Sequence, residues 1–97
     1  MNQPVVAITH QPNNQKFYYG DNFILSFSVS SFVPYSSYWY FNNKPIPPGQ
    51  FEVVQENSQC ILKGGKVEPH HQGFYFCKVI TVSGNVVDTR KVFVSIG

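Results

Sequence analysis

The residues that decide the fold are His71-Gln72-Gly73-Phe74-Tyr75-Phe76-Cys77. Gly73 stands where a tight corner needs a residue that tolerates unusual backbone angles. The residues after it are aromatic or β-branched, as a pleated strand prefers. Tyr75 and Cys77 are two positions apart, so their side chains share one face of that strand. We therefore predict a strand that starts at a corner and turns Tyr75 and Cys77 inward.

Outward from this strand, the chain alternates between short strands and turns. The clearest alternation puts four apolar side chains on one face of a strand, namely Phe23, Leu25, Phe27 and Val29. Other strands are predicted at residues 5–9, 16–19, 37–41, 51–55, 59–63, 74–82 and 86–96. The last two form a long hairpin around Ser83-Gly84-Asn85, and Gly64-Gly65 ends the strand before the corner. No helix is predicted.

The composition favours one folded domain over residues 1–97, because 97 residues is the size of a small domain. Aromatic residues make up 16% and charged residues only 12%, which argues against disorder. The net charge of +2 comes from dispersed basic residues, so no nucleic-acid partner is expected. No apolar run is long enough to cross a bilayer.

The order of Gly20-Asp21, Trp39-Tyr40 and the Gly73, Tyr75 and Cys77 corner resembles the immunoglobulin superfamily, most nearly its intermediate set. The resemblance covers nearly the whole chain. It implies an all-β fold, an immunoglobulin-like antiparallel β-sandwich of two sheets with Greek-key connections. It also implies that Trp39 is the core tryptophan of strand C, Tyr75 the tyrosine of strand F, and Cys77 one half of an inter-sheet disulfide.

Two departures from this family pattern affect the core. Phe27 stands where the family has its first cysteine, so the disulfide between strands B and F cannot form. Cys60 is the only other cysteine, and two alternatives stay open: a bridge from Cys60 to Cys77, or two buried free thiols that suit a reducing compartment. The second departure is His71 in place of an acidic residue, and we expect His70 and His71 to be solvated loop residues.

A narrower resemblance is to the immunoglobulin domains of the MALT paracaspase. It rests on the stretch 71–79, which looks like their strand F, and on 39–47, which looks like their strand C and the turn after it. It implies a cytoplasmic signalling scaffold in which such domains self-associate or dock partners. The alternatives are an extracellular adhesion or receptor domain and a structural spacer of a muscle-type filament protein.

No catalytic chemistry is visible in the sequence. Cys77 and His71 suggest a nucleophile and a base, but a buried thiol is inert. Cys60, Cys77, His70 and His71 match the spacing of no closed zinc site. We therefore expect a non-enzymatic domain without cofactor, metal or small-molecule substrate.

The outward positions of strands C, F and G carry the functional prediction. If Trp39, Tyr75 and Cys77 point inward, aromatic and apolar side chains point outward from the same sheet. Large exposed apolar patches usually mark protein contacts. We predict an interface on this C–F–G face, to a protein partner or to a second copy in a homodimer, formed by Tyr38, Tyr40, Phe76, Lys78, Ile80 and Phe93.

Overall fold

Alternating apolar and polar residues build two β-sheets that pack face to face. The computed structural model describes residues 6–11, 13–46, 49–56 and 58–97. Within these ranges the strands are β1 (Val6–His10), β2 (Gln15–Phe17), β3 (Asn22–Ser31), β4 (Tyr35–Phe41), β5 (Lys44–Pro45), β6 (Glu52–Glu56), β7 (Gln59–Lys66), β8 (Gly73–Thr81), β9 (Val86–Asp88) and β10 (Val92–Ile96). Val5, which the predicted first strand includes, lies outside the described residues.

The first sheet has the strand order β1-β3-β7-β6, and the second has the order β2-β10-β8-β4-β5. Strand β9 also pairs with β8, along the same edge as β10 but farther along the strand. All pairings are antiparallel except that of β2 with β10, which is parallel. The predicted immunoglobulin-like β-sandwich is thus confirmed, with β4 as strand C, β8 as strand F, and β9 and β10 as strand G.

The core contains every residue predicted to define it. Phe27, on β3 in one sheet, packs against Trp39, on β4 in the other, with ring centroids 5.1 Å apart. The five predicted core residues are all buried: Phe27, Trp39, Cys60, Tyr75 and Cys77. An aromatic ring therefore fills the space between the sheets, where apolar burial stabilises the fold without a covalent bond.

Both cysteines are buried free thiols. Cys60 lies on β7 in the first sheet, and Cys77 lies on β8 in the second. A neighbouring Cys60 thiol and burial raise the pKa of Cys77, so this thiol stays protonated and unreactive at neutral pH. Of the two alternatives for the cysteines, the structure has the free pair.

The predicted strand at 86–96 is broken in the structure. Lys78 pairs with Asp88, but Tyr75 pairs with Val92, so the strand opposite β8 contains one extra residue between these pairs. This insertion is a β-bulge. Thr89 bridges the break, because its hydroxyl accepts a hydrogen bond from the Cys77 amide at 2.8 Å. Its own amide donates to the Cys77 carbonyl at 2.9 Å.

Two further differences from the sequence prediction lie in and just after β7. Gly64-Gly65 does not end β7, which continues to Lys66, because a register shift beside Phe23 accommodates Gly65 at a φ of 71°. Where no helix was predicted, a single 3₁₀ turn covers Pro69–His71. Proline at the first position has no amide to leave unpaired and favours such a turn. No helix in the described part of the chain is long and apolar enough to cross a membrane.

The first and last described strands leave the sandwich at opposite ends. Strand β1 begins with Val6 beside Ser31, at the end of β3. Strand β10 ends with Ile96 beside Phe17, and the turn after Phe17 leads into the start of β3. The described chain measures 47 Å by 25 Å by 24 Å. The first and last described strands therefore end apart along the length of β3.

Candidate docking surface

The outer face of β4, β8, β9 and β10 brings the predicted interface residues together. Residues directly opposite each other on antiparallel strands point to the same face of the sheet. The register pairs Tyr38 with Lys78, Tyr40 with Phe76, Ile80 with Val86, and Phe93 with Phe74. We define the C–F–G face by these eight residues together with Asp88 and Lys91.

Aromatic rings pair across the strands of this face. The rings of Tyr40 and Phe76 are stacked, with centroids 4.8 Å apart and an angle of 4° between their planes. The rings of Phe74 and Phe93 are also 4.8 Å apart, tilted by 55°. Such pairs contribute about 0.5–1.5 kcal/mol each beyond their buried area. The rings are therefore held in fixed positions on the sheet.

Two lysines cover the stacked pair. The Nζ of Lys78 lies 5.7 Å from the ring centroid of Tyr40, and the Nζ of Lys91 lies 6.0 Å from that of Phe76. At these distances an ammonium group is attracted by the face of the ring. The C–F–G face therefore presents positive charge directly beside aromatic surface.

A substantial part of this face is open to solvent. Tyr38 and Phe74 are each 50% exposed, and Val86 is 54% exposed. The other ring residues are half-buried. The outer face of the first sheet is more polar on β3, where Ser26, Ser28 and Ser30 point outward beside the exposed Ile24. The strands of the second sheet expose three large apolar side chains, and those of the first expose two, Ile24 and Val53.

Four members of the face lie outside the predicted interface. Phe74 and Lys91 have outward parity on β8 and next to β10, and Val86 and Asp88 lie on β9, the strand that the bulge separates from β10. Parity alone identifies Phe74. The contact of Lys91 with a ring depends on the bulge, for which the sequence carries no clear signal.

A buried hydrogen bond from Tyr75 holds the corner before β8. The hydroxyl of Tyr75 donates a hydrogen bond of 2.6 Å to the carbonyl of His71. Tyr75 is fully buried, and burial raises the pKa of its hydroxyl, so the proton needed for this bond is retained. The bond ties the start of β8 to the 3₁₀ turn before it.

The prediction that both histidines are solvated is wrong for His71, which is 2% exposed, and right for His70, which is exposed. The 3₁₀ turn directs the His71 ring into the core, 5.0 Å from the ring of Phe23. Its Nδ1 accepts a hydrogen bond of 2.9 Å from the Glu68 amide. The imidazole nitrogen thus pairs with a part-buried backbone amide.

We expect this histidine to make the domain less stable in mild acid. Burial first, and His70 second, lower the pKa of His71, while the Glu68 carboxylate acts in the opposite direction. Because the folded state holds the neutral ring, its contribution is fully present above the unfolded pKa of about 6.5 and is lost as the pH falls below it.

Urea unfolding followed from about pH 7.5 to about pH 5 measures this slope. His71→Asn keeps an acceptor that does not titrate, so its slope should be flatter than that of the wild type. His10→Asn, at an exposed position, is the control and should leave the slope unchanged. Equal slopes in the wild type and His71→Asn would contradict the prediction.

The side chains considered for catalysis do not lie on this surface. The Cys77 thiol and the His71 ring are both committed to the core. Among the described residues, no group of three or more histidine, cysteine, aspartate or glutamate side chains could hold a metal ion.

Comparison with known proteins identifies the fold but not the family. No family model matches the chain, and neither does any curated protein. Among solved structures, the titin M3 domain is 16% identical with a TM-score of 0.82, covering 94% of this chain and 95% of that one. The titin I67–I69 fragment is 18% identical with a TM-score of 0.82, and covers 98% of this chain and 33% of that one.

Titin domains Z1Z2 in complex with telethonin give a TM-score of 0.83 at 14% identity, covering 100% of this chain and 50% of that one. At these identities the similarity shows the immunoglobulin-type fold alone. The comparisons give no support to the narrower resemblance to the paracaspase.

Proposed function

We propose that this chain is a non-enzymatic immunoglobulin-type module of a larger, muscle-type filament protein, in which it forms one structural link in a row of domains. The observation that carries the proposal is that the first described strand begins, and the last one ends, at opposite ends of a sandwich 47 Å long. The similarity to titin domains supports this filament reading over an immune-signalling scaffold. The two free thiols suit the reducing cytoplasm, where we place the protein.

The pairing of β2 with β10 would carry the load in such a row. These strands run parallel, in the register Val94 with Gln15, Ser95 with Lys16, and Ile96 with Phe17. Tension on the chain ends pulls them in opposite directions along their length. The hydrogen bonds between them lie across this direction, so several must break together.

We predict that Gln15→Pro lowers the force at which the domain unfolds in single-molecule pulling. Proline removes an amide hydrogen from a strand of three residues and cannot continue the ladder. Glu52→Pro is the control, at the first residue of edge strand β6, which lies outside the load path.

The two variants separate force from equilibrium stability. We expect Gln15→Pro to reduce the unfolding force more than Glu52→Pro does, even where urea denaturation shows equal loss of stability. If the two variants unfold at equal force and have equal stability, β2 and β10 do not bear the load. The mechanism proposed here for a structural link would then be wrong.

A second candidate function is docking of a protein partner on the C–F–G face. The observation that favours it is the exposure of Tyr38, Phe74 and Val86 around rings fixed by stacking. Tyrosine and phenylalanine are enriched in interface cores. The six predicted interface residues remain a prediction under this candidate, as does the identity of the partner.

Charged substitutions test the docking candidate. Light scattering at several concentrations shows whether the domain pairs with itself. Tyr40→Glu combined with Phe76→Glu should abolish self-association, because the double substitution would bury two carboxylates in the contact. The same variant should abolish the binding of another partner protein. Ile24→Glu, exposed on the first sheet, is the matched control. A folded double variant that associates like the wild type would rule out this face.

A further inference from the structure

We propose that the C–F–G face binds an acidic segment of a partner protein. In this arrangement Lys78 and Lys91 pair with the carboxylates of the segment, and the adjacent rings cover its apolar side chains. The inference rests on the docking function proposed for this face and names the chemistry of the partner.

The first support is the uneven distribution of charge between the two sheets. Of the seven basic residues in the chain, five lie on strands of the second sheet or in its β9–β10 bulge: Lys16, Lys44, Lys78, Arg90 and Lys91. Asp88 is the one acidic residue in the same elements. The remaining elements carry two basic residues and the four other acidic residues. Positive potential is therefore concentrated on the sheet that also exposes the rings.

The second support is the placement of the lysine charges. Each ammonium group on the C–F–G face is held over a ring, 5.7 Å from Tyr40 and 6.0 Å from Phe76. These contacts favour the lysine positions that a partner would meet, which reduces the entropy lost on binding. A segment that alternates carboxylates with apolar side chains would match this alternation of charge and ring.

A small cavity at the end of the C–F–G face could bind a carboxylate of the segment. It has a volume of about 280 Å³ and is lined by Asn42, Asn43, Phe74 and Lys91. The Oδ1 of Asn42 accepts the Phe74 amide at 3.0 Å, which leaves the amide nitrogen of its side chain as a donor. The lysine ammonium and this amide are both suited to a carboxylate oxygen.

The same charges disfavour other occupants. A twofold contact centred on Lys78 and Lys91 would bring the lysines of two copies together, and like charges across an interface are costly. Nucleic acid is disfavoured because its binding relies on many phosphate contacts, whereas this face offers two lysines over rings.

Three synthetic peptides with one alternating leucine scaffold test the proposal. Their intervening positions are all glutamate, all lysine or all glutamine, and each is titrated into isotope-labelled domain while amide NMR shifts are followed. The glutamate peptide should shift amides of β4, β8 and β10 and bind at least about tenfold more tightly than the lysine peptide at low salt. Raising the salt to about 0.5 M should remove most of the difference.

Charge reversal locates the effect. Lys78→Glu with Lys91→Glu should abolish the preference for the glutamate peptide. Lys63→Glu with Lys66→Glu makes the same change in charge on the first sheet and should preserve the preference. Equal loss in both double variants would overturn the proposal, since net charge alone would then explain binding.

The remaining outcomes separate this inference from the docking function. If the glutamine peptide binds the face as tightly as the glutamate peptide at every salt concentration, the docking function stands. The proposal of an acidic partner is then wrong. No shift on the face with any peptide counts against both. Shifts of the face on concentration of the domain alone would identify a second copy as the occupant and overturn the proposal.

Discussion

Gly73→Ala will destabilise the domain by about 3 kcal/mol or more, because the position combines a steric conflict with backbone strain. A Cβ at Gly73 would overlap the ring of Phe41 and lie 2.7 Å from the Oδ1 of Asn42. That oxygen accepts a hydrogen bond from the backbone amide of Phe74, and the backbone amide of Asn42 donates one of 2.8 Å to the Phe74 carbonyl. The glycine φ of 156° is also one that residues with a side chain rarely adopt.

Gly84→Ala separates the two causes. Gly84 has a φ of 93°, but a Cβ there would have nothing within 4 Å. Gly84→Ala should therefore lower the free energy of unfolding only by the backbone strain, about 1 kcal/mol. Urea denaturation of both variants gives the comparison, and equal losses would show that the approach of Phe41 and Asn42 does not constrain the corner.

Phe27→Ala should cost about 3–5 kcal/mol, which is a large part of the total stability of a typical small domain. The ring is 1% exposed, packs against Trp39 and lies opposite Cys60 in the sheet register. Removing it leaves a cavity between the two sheets. Because the chain has one tryptophan, the fluorescence of Trp39 reports unfolding from within this contact.

Two further variants show whether the ring itself is needed. Phe27→Leu keeps most of the apolar volume and should cost clearly less than alanine. Phe32→Ala removes the same ring at a site that is 76% exposed, and should change stability by no more than about 0.5 kcal/mol. A loss in Phe27→Ala as small as that in Phe32→Ala would mean that the sheets do not depend on this contact.

The sequence predicted the parts of this fold that follow from the alternation of a strand. Tyr75 and Cys77 are inward and Tyr38 and Phe76 are outward, because each position is fixed by its distance from a neighbour on the same strand. The corner at Gly73 was predictable for the same reason. Its glycine and tyrosine have fixed spacing along the chain.

The remaining features depend on contacts between distant segments. His71 is buried because a 3₁₀ turn rotates its ring toward Phe23, and no local pattern distinguishes it from exposed His70. Lys91 lies over Phe76 because the strand contains an extra residue near Thr89. A turn and an insertion change side-chain direction without changing composition, so the prediction of solvated histidines failed and Lys91 was not selected.

The absence of a covalent bond between the sheets sets how much length the domain can release. Folded, it spans 47 Å. Fully extended, its 97 residues would reach about 330 Å. A bridge from position 27 to Cys77 would withhold roughly half of that extension, since the residues between would stay looped. With Phe27 at this position, a single unfolding event under tension would release the full extension of the chain. Refolding would restore the folded length without any redox step.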